Sequence, residues 1–237
     1  MESVKKKEKV LDLLENKRLE QANVNKVTLN PSKVKNRPFY HFFKRSLDIV
    51  GSGIGLIILS PVFGWVAYKV HKEDGGPVFY SQERIGKDGK AFRMHKFRSM
   101  IQNADQMVEE LEDQNEIDGA MFKIKDDPRV TKIGRFIRKH SLDELPQLVN
   151  VFKGDMSLVG PRPPLPSEVA EYTDYDKLRL KVTPGCTGLW QVTKRNDADF
   201  DEMVELDLDY INNSGFWYDM GIIFKTVGVL FKPNSGY

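Results

Sequence analysis

Along the chain the rhythm of hydrophobic and polar positions changes several times. Residues 1–20 (MESVKKKEKVLDLLENKRLE) set a thin apolar stripe, Val10, Leu13 and Leu14, among charges, which predicts a basic, weakly amphipathic helix. Residues 21–38, ending NPSKVKNRP, read as a linker. Residues 49–68 (IVGSGIGLIILSPVFGWVAY) then carry no formal charge. As one continuous helix they would reach about 30 Å, the thickness of a hydrocarbon core. Ser60-Pro61 interrupts the run, and an internal proline costs a regular helix about 3 kcal/mol. The two halves, about 12 and 8 residues, are each too short to span. Both flanks are basic, Lys44 and Arg45 before and Lys69, His71 and Lys72 after, whereas a spanning helix concentrates its positive charge on one side. The pattern favours a helix that enters a bilayer at about residue 46, bends at Ser60-Pro61 and returns by about residue 70. Ser60 would then partner backbone groups freed at the bend. A bitopic span and a buried core helix are the alternatives.

Beyond this segment, Val78-Phe79-Tyr80 and Ala91–Phe97 predict two strands joined through the turn dipeptide Asp88-Gly89. Residues 103–114 read as an acidic helix with Met107, Val108 and Leu111 on one side. Asp126-Asp127-Pro128 breaks the chain, and a helical stretch follows around residues 133–138. Another starts at Ser141, with Leu145, Leu148, Val149 and Phe152 at helical spacing. Gly160-Pro161-Arg162-Pro163-Pro164 predicts an ordered loop, because proline supplies no ladder donor. Residues 172–180 look helical, 183–188 turn, and 199–213 form an acidic helix. The apolar stretch 216–232 is broken by Asp219 and Lys225 and suits an interfacial or core helix better than a span. There is no repeat, no GxGxxG and no GxxxxGK[ST], and strands do not alternate with helices, which excludes Rossmann and P-loop architectures. The class is α+β and mainly helical, with a re-entrant helix-break-helix, interfacial amphipathic helices and a small β-hairpin.

Charge and cysteine content narrow the picture. The 237 residues carry 36 Lys/Arg and 34 Asp/Glu, a formal charge of +2, which excludes an overall basic nucleic-acid binder. The lone Cys186 excludes a disulfide framework and a multi-cysteine zinc site, and reads as a small packed residue. The first apolar run lies behind a long charged stretch, so no secretory signal is expected, and the soluble part is expected in the cytosol. Residues 1–37 hold a net +5, which fits contact with anionic lipid as well as a solvated helix.

Candidate chemistry concentrates in RVTKIGRFIRKHSLDELPQLVNVFKGDMSLVGPRP, residues 129–162. Ser141-Leu142-Asp143-Glu144 fits a capping box, Ser141 capping and Glu144 reaching back. That role alone would account for Ser141 and Glu144. It does not account for the cations around them: Arg135, Arg138, Lys139 and His140 before, Arg162 after. Carboxylates at a helix N-terminus beside arginines stay ionised. An ionised pair can hold Mg²⁺ together with substrate phosphates, and one carboxylate can attack phosphorus while arginines stabilise the phosphoryl charge. Asp207-Leu208-Asp209 and Asp197-Ala198-Asp199 match the DxD metal pair of glycosyltransferases, although a solvated helix face explains them as well. His41, His71, His95 and His140 lack metal-ligand spacing. Lys96 and Arg98 suit either phosphate binding or a solvated strand.

Four stretches together, KRSLDIVGSGIGLIILSP, GPVFYSQERIGKDGKAFRMHKFRSM, RFIRKHSLDELPQLVNVFKGDMSLVGPRP and VTPGCTGLWQV, resemble the bacterial sugar transferases, the monotopic phosphoglycosyl transferases that initiate exopolysaccharide and capsule assembly. The resemblance covers about residues 39–232 and implies two regions: an N-terminal extension and linker (1–38), and a catalytic domain (39–237) that includes the re-entrant helix. It implies transfer of a sugar 1-phosphate from a UDP-sugar to undecaprenyl phosphate with Mg²⁺, releasing UMP, on the cytoplasmic face of the inner membrane. By resemblance Asp143 is the nucleophile that forms a covalent phosphosugar intermediate, and Glu144 holds the metal. Arg138, Arg162 and Lys96 meet phosphates, Arg195 belongs to the nucleotide site, and Ser60-Pro61 forms the membrane break. Membrane lipid is a further partner, nucleic acid is not, and a homodimer stays open. Many relatives carry transmembrane helices and another domain before this core, so the chain resembles a short catalytic form. Two rivals remain at this point: a bitopic glycosyltransferase using the DxD triplets, and a non-catalytic membrane scaffold.

Overall fold

A computed structural model describes residues 26–34, 37–107, 124, 127–194 and 198–230. The basic helix expected over residues 1–20 and most of the acidic helix expected over 103–114 lie outside them. In chain order the elements are α1 (Pro31–Val34), α2 (Pro38–Ile58), α3 (Ser60–Asp74), β1 (Phe79–Ile85), β2 (Ala91–Phe97), α4 (Lys132–Lys139), α5 (Gln147–Lys153), β3 (Ser157–Val159), α6 (Pro166–Ala170), β4 (Gly185–Thr187), α7 (Leu189–Thr193), α8 (Phe200–Asn213) and α9 (Phe216–Leu230). Short 3₁₀ turns fall at Lys87–Gly89, Ala104–Met107, Leu142–Glu144 and Asp176–Lys181.

The uncharged run folds as two helices longer than expected, because each extends into its charged flank. α2 has 21 residues and α3 has 15, and they meet at Leu59 with a 60° bend. The proline is a helix start here: Pro61 sits in the first turn of α3, where a missing N–H costs nothing. Ser60 Oγ donates to the Ile57 carbonyl at 2.8 Å, so the serine does partner a backbone group at the break. Among the described residues no single helix is long and apolar enough to cross a membrane, while this bent pair passes the same test together. Its outer surface is apolar and exposed, with Ile57 75% and Phe39 80% accessible, the kind of patch that soluble surfaces rarely carry.

The inner face of α2 is polar and fitted to the body. Asp48, buried, accepts from Ser157 Oγ (3.0 Å) and the Leu158 amide (2.8 Å), fixing α2 to β3. Arg45 donates to the Val151 and Phe152 carbonyls (2.7 and 2.8 Å), satisfying the C-terminal end of α5. Close approach requires a small residue at Gly51, where a Cβ would meet Leu158 Cδ1 at 2.8 Å. At the other end, Glu73 accepts from the Lys132 and Ile133 amides and so caps α4. Val66 and Val70 of α3 form a buried cluster with Phe97 of β2 and Ile137 of α4.

β1 and β2 form the expected antiparallel hairpin, from Phe79 opposite Phe97 to Ile85 opposite Ala91, with the turn through Asp88-Gly89. Other expectations need correction. Residues 183–188 are a strand as well as a turn: β4 pairs in parallel with β3. Glycine permits this pairing, since a Cβ on Gly160 would sit 2.6 Å from the Thr183 carbonyl oxygen. Residues 172–180 are helical only as the 3₁₀ turn Asp176–Lys181. Asp219, which breaks the apolar C-terminal stretch, is buried. It accepts from Tyr210 (2.8 Å), Tyr40 (2.9 Å) and Lys44 (3.0 Å), locking α9 to α2 and α8.

Candidate active site

The predicted capping box does not form. Ser141 is left-handed (φ 53°) with no capping hydrogen bond, Asp143 and Glu144 lie in the 3₁₀ turn Leu142–Glu144, and α5 starts only at Gln147, after Pro146. The reason is competition: Lys96 of β2 takes the Glu144 carboxylate, Nζ to Oε1 at 2.9 Å. Both adjacent carboxylates are therefore presented by a turn, with Leu142 and Leu145 packed on the cluster of α3, β2 and α4 beneath it.

Three supports fix the register of this turn. Buried Asn150 of α5 accepts from the His95 amide (2.9 Å) and donates to the Arg93 carbonyl (2.7 Å), completing the free edge of β2 and aligning Lys96 with Glu144. The β3–β4 ladder holds the proline loop, with the Gly185 amide on the Pro161 carbonyl at 2.8 Å. Buried Arg84 of β1 donates to the Pro163 carbonyl (3.0 Å), and the Ile85 amide donates to the Pro164 carbonyl (2.9 Å). Arg162 is thereby delivered to a narrow recess lined by Lys96, Glu144, Gln147, Cys186 and Gln191.

The electrostatics separate the two carboxylates. Burial, and then the charge of Glu144, push the Asp143 carboxyl up to about 6, against the pull of Lys96 and Arg138. Burial acts on Glu144 in the same sense, but Lys96, Arg162 and Arg84 outweigh it and hold the carboxyl down at about 2. At neutral pH both are ionised, and Asp143 is the more basic and hence the better nucleophile. Burial and the neighbouring Arg162 lower Arg84 to about 10, which still leaves it charged. The site thus pairs two anions with at least four cations: Lys96, Arg138, Arg162 and Arg84.

Of the residues singled out in the sequence, Asp143, Glu144, Arg138, Arg162 and Lys96 converge here, whereas Arg195 lies outside the described residues. The Asp207-Leu208-Asp209 triplet is not a metal pair, and its first aspartate does not lie on a solvated face. Asp207 is wholly buried in an ion pair with Arg179, and Asp209 accepts from Asn213 at 2.8 Å. Sequence reasoning missed Arg84, Asn150 and Gln191. All three lay inside the quoted motifs, and the inward strand position of Arg84 was a further signal. Burial pushes up the Cys186 thiol, leaving a protonated group at the recess wall. The Trp190 indole N–H and the Gln191 amide oxygen are buried without a partner among the described residues, a cost that a polar ligand would relieve. No group of three or more His, Cys, Asp or Glu side chains converges among the described residues. The donor set is the Asp143-Glu144 pair, of which Lys96 engages one Glu144 oxygen. One or two carboxylates completed by substrate phosphates is how Mg²⁺ is usually held, so the residues fit that ion.

Comparison with known proteins shows the family of the chain. The family model for bacterial sugar transferases matches residues 39–233. The galactosyl transferase CpsE of Streptococcus agalactiae is 52% identical over 79% of the chain and 42% of its own length. The undecaprenyl-phosphate galactose phosphotransferase of Salmonella typhimurium is 49% identical over 83% and 42%. The exopolysaccharide production protein ExoY of Rhizobium meliloti is 40% identical over 85% and 91%. The chain spans less than half the length of the first two and nearly all of the third.

Proposed function

The chain belongs to the bacterial sugar transferase family, and from that premise we propose that it transfers a sugar 1-phosphate from a UDP-sugar to undecaprenyl phosphate, the first membrane step of exopolysaccharide or capsule synthesis. The observation that carries the reading is the split carboxylate pair on its turn, ringed by Lys96, Arg84, Arg138 and Arg162, in a body to which the bent helix pair is hydrogen-bonded at both ends.

In this reading an Asp143 carboxylate oxygen attacks the sugar-bearing phosphorus of the donor. The phosphoanhydride bond breaks, UMP leaves with the bridging oxygen, and an aspartyl phosphosugar remains. An oxygen of the lipid phosphate then attacks the same phosphorus, the acyl–phosphate bond breaks, and free Asp143 is restored with undecaprenyl-diphospho-sugar as product. The guanidinium groups of Arg138 and Arg162 stabilise charge on the phosphoryl oxygens, which is where most of the barrier lowering arises in such transfers. Lys96 keeps Glu144 ionised and oriented. Bound Mg²⁺, held through Glu144 and the donor diphosphate, would neutralise charge on the departing UMP. A covalent intermediate suits these substrates, because a water-soluble donor and a bilayer-bound acceptor need not occupy the site together.

The membrane side of the reading rests on the apolar outer face of α2–α3, with both ends of the pair fixed to one body. The protein would sit monotopically on the cytoplasmic face, with α9 at the interface. Incubation with labelled UDP-sugars and undecaprenyl phosphate tests the reaction: release of UMP and label trapped on Asp143 support it. Release of UDP would instead indicate sugar transfer without phosphate. Topology is checked with Phe39→Cys and Lys72→Cys in a Cys186→Ala background; both should label from the cytosol, and labelling on opposite sides would mean a span.

A further inference from the structure

A second cavity, of about 50 Å³, shares no lining residue with the recess at Glu144. That volume suits a few waters or one phosphate group. Four lysines from four separate segments line it: Lys33 of α1, Lys44 of α2, Lys87 of the hairpin turn, and Lys181 at the end of the 3₁₀ turn Asp176–Lys181. His41 and the hydroxyl-bearing Tyr40, Thr183, Tyr210 and Ser214 complete the polar wall. Only Lys44 has a carboxylate, Asp219 behind it, at 3.0 Å. Lys33, Lys87 and Lys181 have none within 4 Å among the described residues, although Asp88 follows Lys87 on the exposed turn. Desolvation, and then Lys87, Arg37 and Lys44, lower His41, another sign of concentrated positive potential. Ammonium groups gathered without counter-charge repel one another, and an anion among them removes that repulsion.

The location decides what kind of anion. Tyr40, His41 and Lys44 line the cavity, while Phe39, Phe42 and Phe43 on the same turns of α2 are 80, 68 and 56% accessible. In the membrane reading above, on which this inference rests, those phenylalanines sit at the headgroup level, just before α2 enters the bilayer at about residue 46. The cavity then lies level with the phosphates of neighbouring lipids.

We propose that this cavity binds the phosphate of an anionic phospholipid headgroup, at a site separate from the one where transfer occurs. Native mass spectrometry of the full chain released from phosphatidylcholine bilayers doped with phosphatidylglycerol tests it. Wild type should retain one phosphatidylglycerol. The triple variant Lys33→Gln, Lys87→Gln, Lys181→Gln should lose it by more than tenfold, since one basic residue near an anionic surface contributes roughly fivefold. Lys69→Gln, Lys72→Gln, Lys153→Gln, three lysines outside the cavity, should keep it. Lys87→Glu, at an exposed turn where folding is not at stake, should by itself weaken retention. Equal retention in the two triple variants overturns the proposal. Displacement of the lipid by millimolar inorganic phosphate also overturns it, by showing that the site prefers the free anion. A chain that ignores zwitterionic bilayers fails the membrane reading. One that binds them without a cavity-dependent adduct fails only this inference.

Discussion

Asp143 and Asp207 share a carboxyl pushed up to about 6, with burial as the leading cause, and each has an arginine close by. Yet one lies in the candidate active site and the other is structural. Asp207 is sealed between α8 and the 3₁₀ turn Asp176–Lys181, paired with an Arg179 that is itself 2% exposed and also donates to Tyr172 at 3.0 Å. Asp143 stands on a short turn next to Glu144, whose side chain is one-third accessible and faces a recess. A perturbed carboxylate therefore identifies a site only when access and a second, differently tuned group accompany it. Geometry also separates the pairs. Positions two apart on a helix point to different faces, so Asp207 and Asp209 cannot converge on one ion.

The comparison breaks most visibly under asparagine substitution. Asp143→Asn should lower phosphosugar transfer by about 10³-fold or more, as loss of a nucleophile does, and abolish trapping of labelled intermediate. Its unfolding midpoint should hardly change. Asp207→Asn should do the reverse: it leaves Arg179 buried without its counter-charge and costs about 3–5 kcal/mol in chemical denaturation. The rate per folded molecule should stay at the wild-type level. Equal effects of both variants on turnover would undo the distinction.

That distinction was only half legible in the chain. Local signals were readable: Ser60-Pro61 marks the break, Asp88-Gly89 turns the hairpin, and Asp143-Glu144 stands out amid arginines. The failures share a cause, which is competition from residues remote in sequence. Ser141 has a capping residue's identity, but Lys96, from a strand 48 residues away, claims Glu144 and the turn tightens. Asp207 looks solvated because its helix is acidic, and Arg179 shows no periodicity to announce it. The ladder between the glycines of GPRP and PGCTG needs two short segments that carry little strand pattern. Asn150 resembles any helical amide until the edge of β2 lies beside it.

A weaker effect sharpens the electrostatic half of the comparison. Transfer requires ionised Asp143, so kcat/KM, which reports the free enzyme, should fall about tenfold per pH unit below about 6. Lys96 lowers the Asp143 carboxyl, so Lys96→Met should move this acid limb to higher pH. An unmoved limb would mean that another group governs the profile.

The smallest expected effect comes from a third acidic residue, at the end of α3. Asp74 receives both terminal nitrogens of Arg98 at 2.5 Å, and these hydrogen bonds are the leading reason its carboxyl is held down at about 2. Unlike Asp143 and Asp207 it gains from folding in its charged form. A carboxyl lowered in the folded state contributes stability that is complete above its ordinary value near 3.8 and disappears as pH falls toward 2. With the side chain 27% accessible, solvent reduces the contribution to about 1 kcal/mol. Asp74→Asn should therefore lower stability at pH 6 by about that amount and flatten the loss of stability between about pH 4 and 2. Denaturant titrations at several pH values measure both. If the variant keeps the wild-type slope, the ion pair does not hold the end of α3 to the hairpin, and packing of Val66 and Val70 on Phe97 carries that junction alone.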